Sequence, residues 1–350
     1  MKHTALLITA GEATGARIGA SFLLPALRHE AAKCCEFVRE IREEEITEAL
    51  LSIGMDGCAL LLDAAMPLLE ESDLRALLDP IDAGAAEVLT TGLYPRAIAP
   101  AGHGVETVAL REAAQTCVQT PADLAAALAT LHTRKAESLL AQGVLLLDPA
   151  HTYIDSQVQI GAGTVIHPNN TLTGDTVIGE NCLLLPGNRM QDAHLGAGVT
   201  VEQSVLLSCE VSDRTTVGPF AYLRPNTTIG EGCRIGDFVE IKNSRIGNGT
   251  KVSHLTYVGD SDLGERINLG CGVVFVNYDG KRKHRTRVGD DAFIGCNVNL
   301  VSPVQVGDGA YVAAGSTITE DVPGDAMAVA RARQVVKPGW VAKRKQEGKL

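Results

Sequence analysis

The second half of this chain predicts a parallel β-helix wound from six-residue repeats, and three observations predict it. Aliphatic residues recur at every sixth position: Ile160, Ile166, Leu172, Ile178, Leu184 and Met190, then Val211, Val217, Leu223, Ile229, Ile235 and Ile241. The beat resumes at Val252 and Val258, at Leu263, Leu269 and Phe275, and at Val288, Ile294, Leu300, Val306, Val312 and Ile318. Many anchors are followed by glycine, as in Ile160-Gly161, Ile229-Gly230, Ile235-Gly236, Val258-Gly259 and Leu269-Gly270. Aromatic residues make up only 4 % of the chain, which suits a narrow interior filled by aliphatic side chains. A helix period of about 3.6 or a strand period of about two does not give such a beat, whereas a stacked hexapeptide coil does.

The remaining composition sets bounds. With 350 residues, 45 % of them hydrophobic, the chain has length for about two globular domains. A net charge of −11 argues against nucleic acid as the general partner. Nine cysteines (Cys34, Cys35, Cys58, Cys117, Cys182, Cys209, Cys233, Cys271, Cys296) are an odd number without a CxxC pair. They read as reduced thiols of a cytoplasmic protein, not as a disulfide or zinc framework. The opening MKHTALLITAGEATGAR has too short an apolar core for a signal peptide, and no apolar run approaches a membrane span.

In chain order, residues 5–10 predict a buried parallel strand feeding the loop GEATGARIG and a helix. A glycine-bearing turn there offers amides to a phosphate, but it is neither GxGxxG nor a P-loop, and a plain strand-loop-helix turn accounts for it equally well. Helices are expected around 46–52 and 72–78, and strands at 58–62 and 86–90. PADLAAALATLHTRKAESLLAQ, residues 121–142, predicts one helix, with Gly143 at the C-cap position. This first region is expected to be a small α/β layer, and the hexads take over near 148–160. They run to about Ile318 with one slip between Phe275 and Val288. There the insert VNYDGKRKHRTR carries six basic-type side chains, counting His284. That run is either a solvated loop or an arm that grips phosphate. After Pro323 the beat stops, leaving a terminal cap and a basic tail.

Chemistry concentrates in residues 252–280, VSHLTYVGDSDLGERINLGCGVVFVNYDG. Arg224, Lys242, His254, Tyr257, Asn268, Asn277 and Tyr278 make this wall unusually polar. Arg224 and Lys242 are 18 apart and Lys242 and His254 are 12 apart, so multiples of six place them at related positions on successive turns. His254 read alone is a packing residue. With these neighbours it becomes a base of suitable proton affinity for acyl transfer from a thioester to an amine. Arg224 and Lys242 would then hold an anionic substrate, and main-chain amides of Gly270-Cys271-Gly272 the thioester oxygen. Cys271 and Cys296 read as wall residues, not nucleophiles. The solenoid histidines, His167, His194, His254 and His284, are too scattered in sequence for a three-histidine metal site.

From FAYLRPNTTIG through EIK, HLTYVGD and NYDG to VAAGSTITEDV, Arg331 and Gly339-Trp340, the sequence resembles a known family over about residues 143–340. It is the bifunctional bacterial N-acetylglucosamine-1-phosphate uridyltransferase/glucosamine-1-phosphate acetyltransferase, in its acetyltransferase half. The resemblance implies a left-handed parallel β-helix assembled as a homotrimer, with acetyl-CoA between subunits. It implies that His254 is the proton acceptor. Arg224, Lys242, Tyr257, Asn268 and Lys283 would hold the amino-sugar phosphate. Cys271, Asn277, Tyr278, Cys296, Ala314 and Arg331 would contact acetyl-CoA, with cysteines at 271 and 296 where the family commonly has Ala and Ser.

The front of the chain departs from that family. ITAGEATGARIGASFLLPAL stands where LAAGxGTRMxxxxPK is expected, so Ala26 follows Pro25 in place of lysine. Ala64-Ala65-Met66-Pro67-Leu68 replaces GDVPL, whose aspartate binds magnesium. GVLLLDPAHTYID still matches the connector. The expected domains are a shortened nucleotidyltransferase-like α/β domain at 1–145, the acetyltransferase β-helix at 146–322 and a cap with basic tail at 323–350. The expected activity is acetylation of glucosamine-1-phosphate from acetyl-CoA, in UDP-N-acetylglucosamine and cell-wall precursor synthesis, without nucleic-acid or membrane partners. Three other readings stay open: a bifunctional enzyme that retains magnesium-dependent uridyltransferase activity, a non-enzymatic trimeric scaffold that binds a sugar nucleotide, and an acetyltransferase for a different amino-sugar nucleotide.

Overall fold

The computed structural model describes residues 2–9, 17–42, 45–53, 57–63, 66, 68–90, 95–98, 104–110, 118 and 120–350. The glycine-bearing loop at 11–16, Ala64, Ala65, Pro67 and Cys117 lie outside them. The chain forms two compact units, Met1–Glu202 and Gln203–Leu350.

The first unit opens with a six-stranded sheet made of β1 (Lys2–Thr9), β2 (Phe37–Arg42), β3 (Gly57–Asp63), β4 (Glu87–Leu89), β5 (Arg96–Ile98) and β6 (Val105–Thr107), ordered β2-β1-β3-β5-β4-β6. Three helices belong to it: α1 (Arg17–Ala32), α2 (Ile46–Ile53) and α3 (Glu71–Asp82). β1 pairs in parallel with β2 and β3 and is apolar without a break from Ala5 to Ile8, as a strand covered on both faces must be. Alternate residues go opposite ways. Ala5, Leu7, Leu60 and Leu62 pack with Leu27 of α1 and Leu74, Leu77 and Ile81 of α3. Leu6, Ile8, Ala59 and Leu61 pack with Ala49 of α2. The expected α/β layer is present, and β2, β5 and β6 add strands that the sequence reading did not anticipate. Ala26 is buried within α1.

Helix α4 (Pro121–Ala141) links this layer to the first coils. Thr120 caps it by accepting the Asp123 amide at 3.2 Å, while the Asp123 carboxylate accepts the Thr120 amide at 2.8 Å. Gly143 follows its C-terminus at φ +85°, the left-handed conformation in which helices commonly end. Lys135 of α4 donates to the carbonyls of Ser156 (2.9 Å) and Val158 (2.5 Å), clamping the first coil. That burial pushes its ammonium down to about 8.

The rest of each unit is parallel β-solenoid. Strands of two to four residues on three sides pair only with the coil before and the coil after. In the second unit Leu223 pairs with Ile241 and Ile241 with Val258, and all three side chains are fully buried. Every hexad anchor named above is buried. Small polar residues close the corners: the Thr215 hydroxyl donates to the Gly230 carbonyl at 2.7 Å and accepts the Cys233 amide at 2.9 Å, so buried backbone groups keep partners. Beyond the end of the beat, Met327–Ala328 still adds a rung by pairing with Tyr311–Val312. The tail then forms the short helix α5 (Trp340–Gln346).

Candidate functional site

The coils that carry the polar wall lie wholly in the second unit, and their register brings most of the expected residues onto one side of the solenoid and its two flanking corners. Along the face, Tyr222 pairs with Glu240, Glu240 with Tyr257 and Tyr257 with Val274. One column further on, Arg224 bonds through its amide to the Ile241 carbonyl, and Lys242 pairs with Gly259.

The corner before this face carries the base candidate. Asp237 pairs with His254, and the register of Val252 with Leu269 continues to Cys271. Leu269 pairs with Ile294 and Ile294 with Val312, which brings Cys296 and Ala314 into the same corner column. Cys271 is half-buried and Cys296 exposed. Arg331 lies past the last rung, its Cδ 3.6 Å from where a Cβ on Gly315 would stand. His254 therefore belongs to this corner and not to the column of Arg224 and Lys242: twelve residues carry the chain along two of a coil's three sides, and only a whole coil of seventeen or eighteen residues returns it to the same column.

His254 is held by a residue that sequence reasoning missed. Its Nδ1 donates to Asp237 Oδ1 at 2.5 Å, which in the neutral ring places the proton on Nδ1 and the lone pair on Nε2. The hydrogen bond from His254 holds the Asp237 carboxyl below the usual carboxylate range. The signal was present: Asp237 stands one coil, seventeen residues, before the histidine.

The corner after the face gathers amides around a second unforeseen acid. Asp260 accepts from Asn243 Nδ2 at 2.5 Å and from Asn277 Nδ2 at 2.6 Å. Asn277 lies 3.4 Å from the Tyr257 hydroxyl, whose ring extends across Gly259. A Cβ at 259 would fall on that hydroxyl and within 2.5 Å of Asn277 Nδ2. Glycine is what lets the tyrosine lie flat there.

Cations face this corner. Arg224 donates to Glu240 at 2.8 Å and lies 5.7 Å from the Tyr222 ring centroid, while its buried Nε has no hydrogen-bond partner among the described residues. Lys283 of the insert stands beside Lys242, and its proximity and positive charge, followed by the charge of Arg224, hold Lys242 below the usual lysine range. An orphaned guanidinium donor beside two apposed lysines fits an anionic substrate group.

The insert is a braced hairpin. Asp279 accepts from the amides of Lys281 and Arg282 and from His284 Nε2, each at 2.7 Å, and Tyr278 bridges Lys283. Those bonds, the Arg282 amide first, pull its carboxyl down to about 2. Arg285 grips Asp262 through two bonds of 2.9 and 2.6 Å. Tyr278 itself is exposed and donates to the Gly280 carbonyl.

Asn268 stands on the neighbouring sheet, between Lys251 and Phe293. The Gly270 amide is spent on the Ile294 carbonyl at 2.8 Å, so it is removed from the group expected to meet a thioester oxygen. Among the described residues no group of three or more His, Cys, Asp or Glu side chains is placed to hold a metal ion, and no helix is long and apolar enough to cross a membrane.

Comparison with known proteins finds likenesses to this solenoid. The bacterial transferase hexapeptide family (six repeats) matches residues 208–243 and 285–320. The bifunctional protein GlmU of Clostridium kluyveri is 57 % identical over 202 residues, which is 58 % of this chain and 44 % of that protein. The chain is GlmU-like. GlmU of Clostridium novyi is 54 % identical over 227 residues, 65 % of this chain and 50 % of its own length. GlmU of a Geobacillus species is 54 % identical over 199 residues, 57 % and 43 %. The chain spans about half the length of the curated GlmU relatives it matches. The sixfold beat is that of the left-handed hexapeptide coil.

Proposed function

We propose that this chain transfers an acetyl group from acetyl-CoA to the amine of glucosamine-1-phosphate, in the cytoplasm and as a homotrimer, toward UDP-N-acetylglucosamine for the cell wall. The observation that carries the reading is the corner column of Asp237, His254, Cys271, Cys296 and Ala314 beside a face of Arg224, Lys242 and Tyr257, in a GlmU-like solenoid. Small residues along the column leave room for a pantetheine arm beside the histidine. Arg224, Lys242 and Lys283 meet the sugar phosphate, and Asn277, Tyr278 and Arg331 meet acetyl-CoA.

In the reaction the sugar amine attacks the thioester carbonyl carbon. A C–N bond forms, the C–S bond breaks, and the amine proton passes to His254 Nε2, the nitrogen that Asp237 leaves free. The proton then returns to the departing thiolate, giving the amide and free coenzyme A. Positioning plus general base catalysis of this kind is worth about 10²–10⁴-fold from the proton transfer alone.

The functional division proposed here falls near residues 145 and 322. The front domain lacks uridyltransferase activity, with Ala26 and Ala65 where that chemistry needs lysine and a magnesium-binding aspartate. Purified protein with acetyl-CoA and glucosamine-1-phosphate, followed by free-thiol release, tests the proposal. A second run adds UTP and magnesium. Thiol release without UDP-sugar supports it. UDP-sugar formation overturns the loss of the first activity, and no release with any amino-sugar phosphate moves the chain to a sugar-nucleotide-binding scaffold.

A further inference from the structure

We propose that Asp260 is a positioning residue of this site: its buried carboxylate orients the Asn277 amide and supplies the negative charge that lets Lys242 and Lys283 stand side by side. The role within a reaction rests on the acetyl-transfer reading, while the orientation and charge stand on the geometry.

Asp260 follows the strand Tyr257–Gly259 and occupies a corner at φ +49°. Asn226 and Asn243 occupy the equivalent corners of the two preceding coils at +62° and +47°. Short amide and carboxylate side chains enter this left-handed region more readily than other L-residues. The corner thus calls for Asn or Asp, and the coils before it use Asn. Nothing in the turn requires a charge at 260.

The charge is nevertheless buried, with 5 % of the residue exposed. Burying a carboxylate is costly unless opposite charge and hydrogen bonds compensate it. Both are present. Asn243 and Asn277 each donate one hydrogen bond to it, at 2.5 and 2.6 Å. Lys242, whose carbonyl accepts the Asp260 amide at 3.0 Å, and Arg285, whose guanidinium donates to the Ser261 carbonyl at 3.1 Å, lie next to it, and with Lys283 of the insert they supply the opposite charge. Tyr257 stands on its own strand, and the Arg224–Glu240 pair lies beyond Lys242. Arg285 already has Asp262 as a partner, so Asp260 is the countercharge that the lysine pair faces.

Two effects follow. Asn277 Nδ2 faces Asp260 and the Tyr257 hydroxyl, so its donors are engaged and its Oδ1 is left as an acceptor. An asparagine at 260 offers both a donor and an acceptor and no longer dictates that orientation. Two adjacent ammonium groups also lose protons more readily without a neighbouring anion. Asp260 therefore extends the pH range over which the pair binds an anionic substrate.

The test uses the full-length protein and Asp260→Asn, which keeps the volume and the corner conformation. Lysine protonation is read by labelling with an amine-reactive acetylating reagent from pH 6 to 11, with peptide mass spectrometry at Lys242 and Lys283. The expected result is that Asp260→Asn moves the labelling midpoint of the lysine pair about 1 pH unit lower. Asn243→Ala cuts a corner bond but keeps the carboxylate, and it leaves that midpoint at the wild-type value. Acetyl transfer is measured in parallel, and Asp260→Asn is expected to lower kcat/KM for glucosamine-1-phosphate about tenfold, with its alkaline limb displaced the same way. An unmoved midpoint in Asp260→Asn, or an equal displacement in Asn243→Ala, overturns the proposal. A displaced midpoint in a protein without acetyl-transfer activity upholds the charge role and sinks only the reaction to which it was attached. Should Asp260→Asn fail to fold, Asp260→Ser carries the same comparison.

Discussion

Asp237 and His254 pair across a single coil, with the carboxylate 2.5 Å from Nδ1 of the ring. The acid and the base thus stand on different strands of one sheet, and the stacking of coils, not a local turn, sets their distance. His254→Ala is expected to lower kcat about 10²–10⁴-fold. Asp237→Asn is expected to cost less. The double variant should be no slower than His254→Ala alone, because residues acting through one another are not additive. Steady-state kinetics of the three proteins checks this, and additive losses would show that Asp237 acts elsewhere.

Gly259 lies under the Tyr257 ring, where an added Cβ meets both the tyrosine hydroxyl and Asn277. Gly259→Ala should therefore displace those two side chains and reduce kcat/KM about tenfold or more, since small misplacements at a reacting site are costly. Its thermal midpoint should stay within a few degrees of wild type, because the inward stack of Ile241 and Val258 is untouched. A large loss of stability with normal kinetics in the surviving fraction would reverse this reading.

Thiol reactivity should divide by place in the coil. Cys58 and Cys209 are buried, and burial pushes both up to about 12. They should resist a disulfide reagent at pH 8 in the folded protein, as the buried thiols Cys182 and Cys233 should. Cys296 is exposed and Cys271 half-buried, so these label first among the solenoid thiols. Coenzyme A should slow Cys296 labelling if the corner column is where it lies. Labelling rates by mass spectrometry, with and without coenzyme A, decide both points.

Lys135 gives the first unit a pH signature. Its folded-state value near 8 lies below the ordinary lysine value of about 10.4, chiefly through burial and then through Lys33. The folded form binds fewer protons than the unfolded form between those limits, so this group makes stability rise with pH from about 8 to about 10.4. Below 8 its charge is a fixed cost. Denaturation midpoints at pH 7.5 and pH 10 should show that increment in wild type, and Lys135→Met should lose it.

The inward residues were legible because one constraint repeats. Each coil must place an aliphatic side chain over the last, and Leu223, Ile241 and Val258 show it in register. The base, the cations and the cysteines were legible as residue types, and their columns were not. A count of twelve from Lys242 to His254 spans two of a coil's three sides, and the five-residue side between Ile241 and Ile246 then shifts the phase within the side by one residue. Asp237 and Asp260 were missed because their partners are one coil away, and only a known coil length points to them. The strands β2, β5 and β6 lack a comparable repeat. Phe37–Arg42 is half charged, and the two others span three residues each, so little periodicity exists to read.

The insert after Phe275 leaves the wall intact. Leu263 meets Val288, Leu269 meets Ile294 and Phe275 meets Leu300, each pair twenty-five residues apart where neighbouring coils need seventeen or eighteen. The coil absorbs the extra length at one corner and resumes with Val288 in place. Recognition and architecture are thereby uncoupled in this region: residues 278–284 can be lengthened, shortened or exchanged as a cassette while the stacked interior and the rungs at Val276 and Thr286 go on specifying the scaffold. A lineage can retune which anion it grips there without renegotiating its fold, and a designer can do the same.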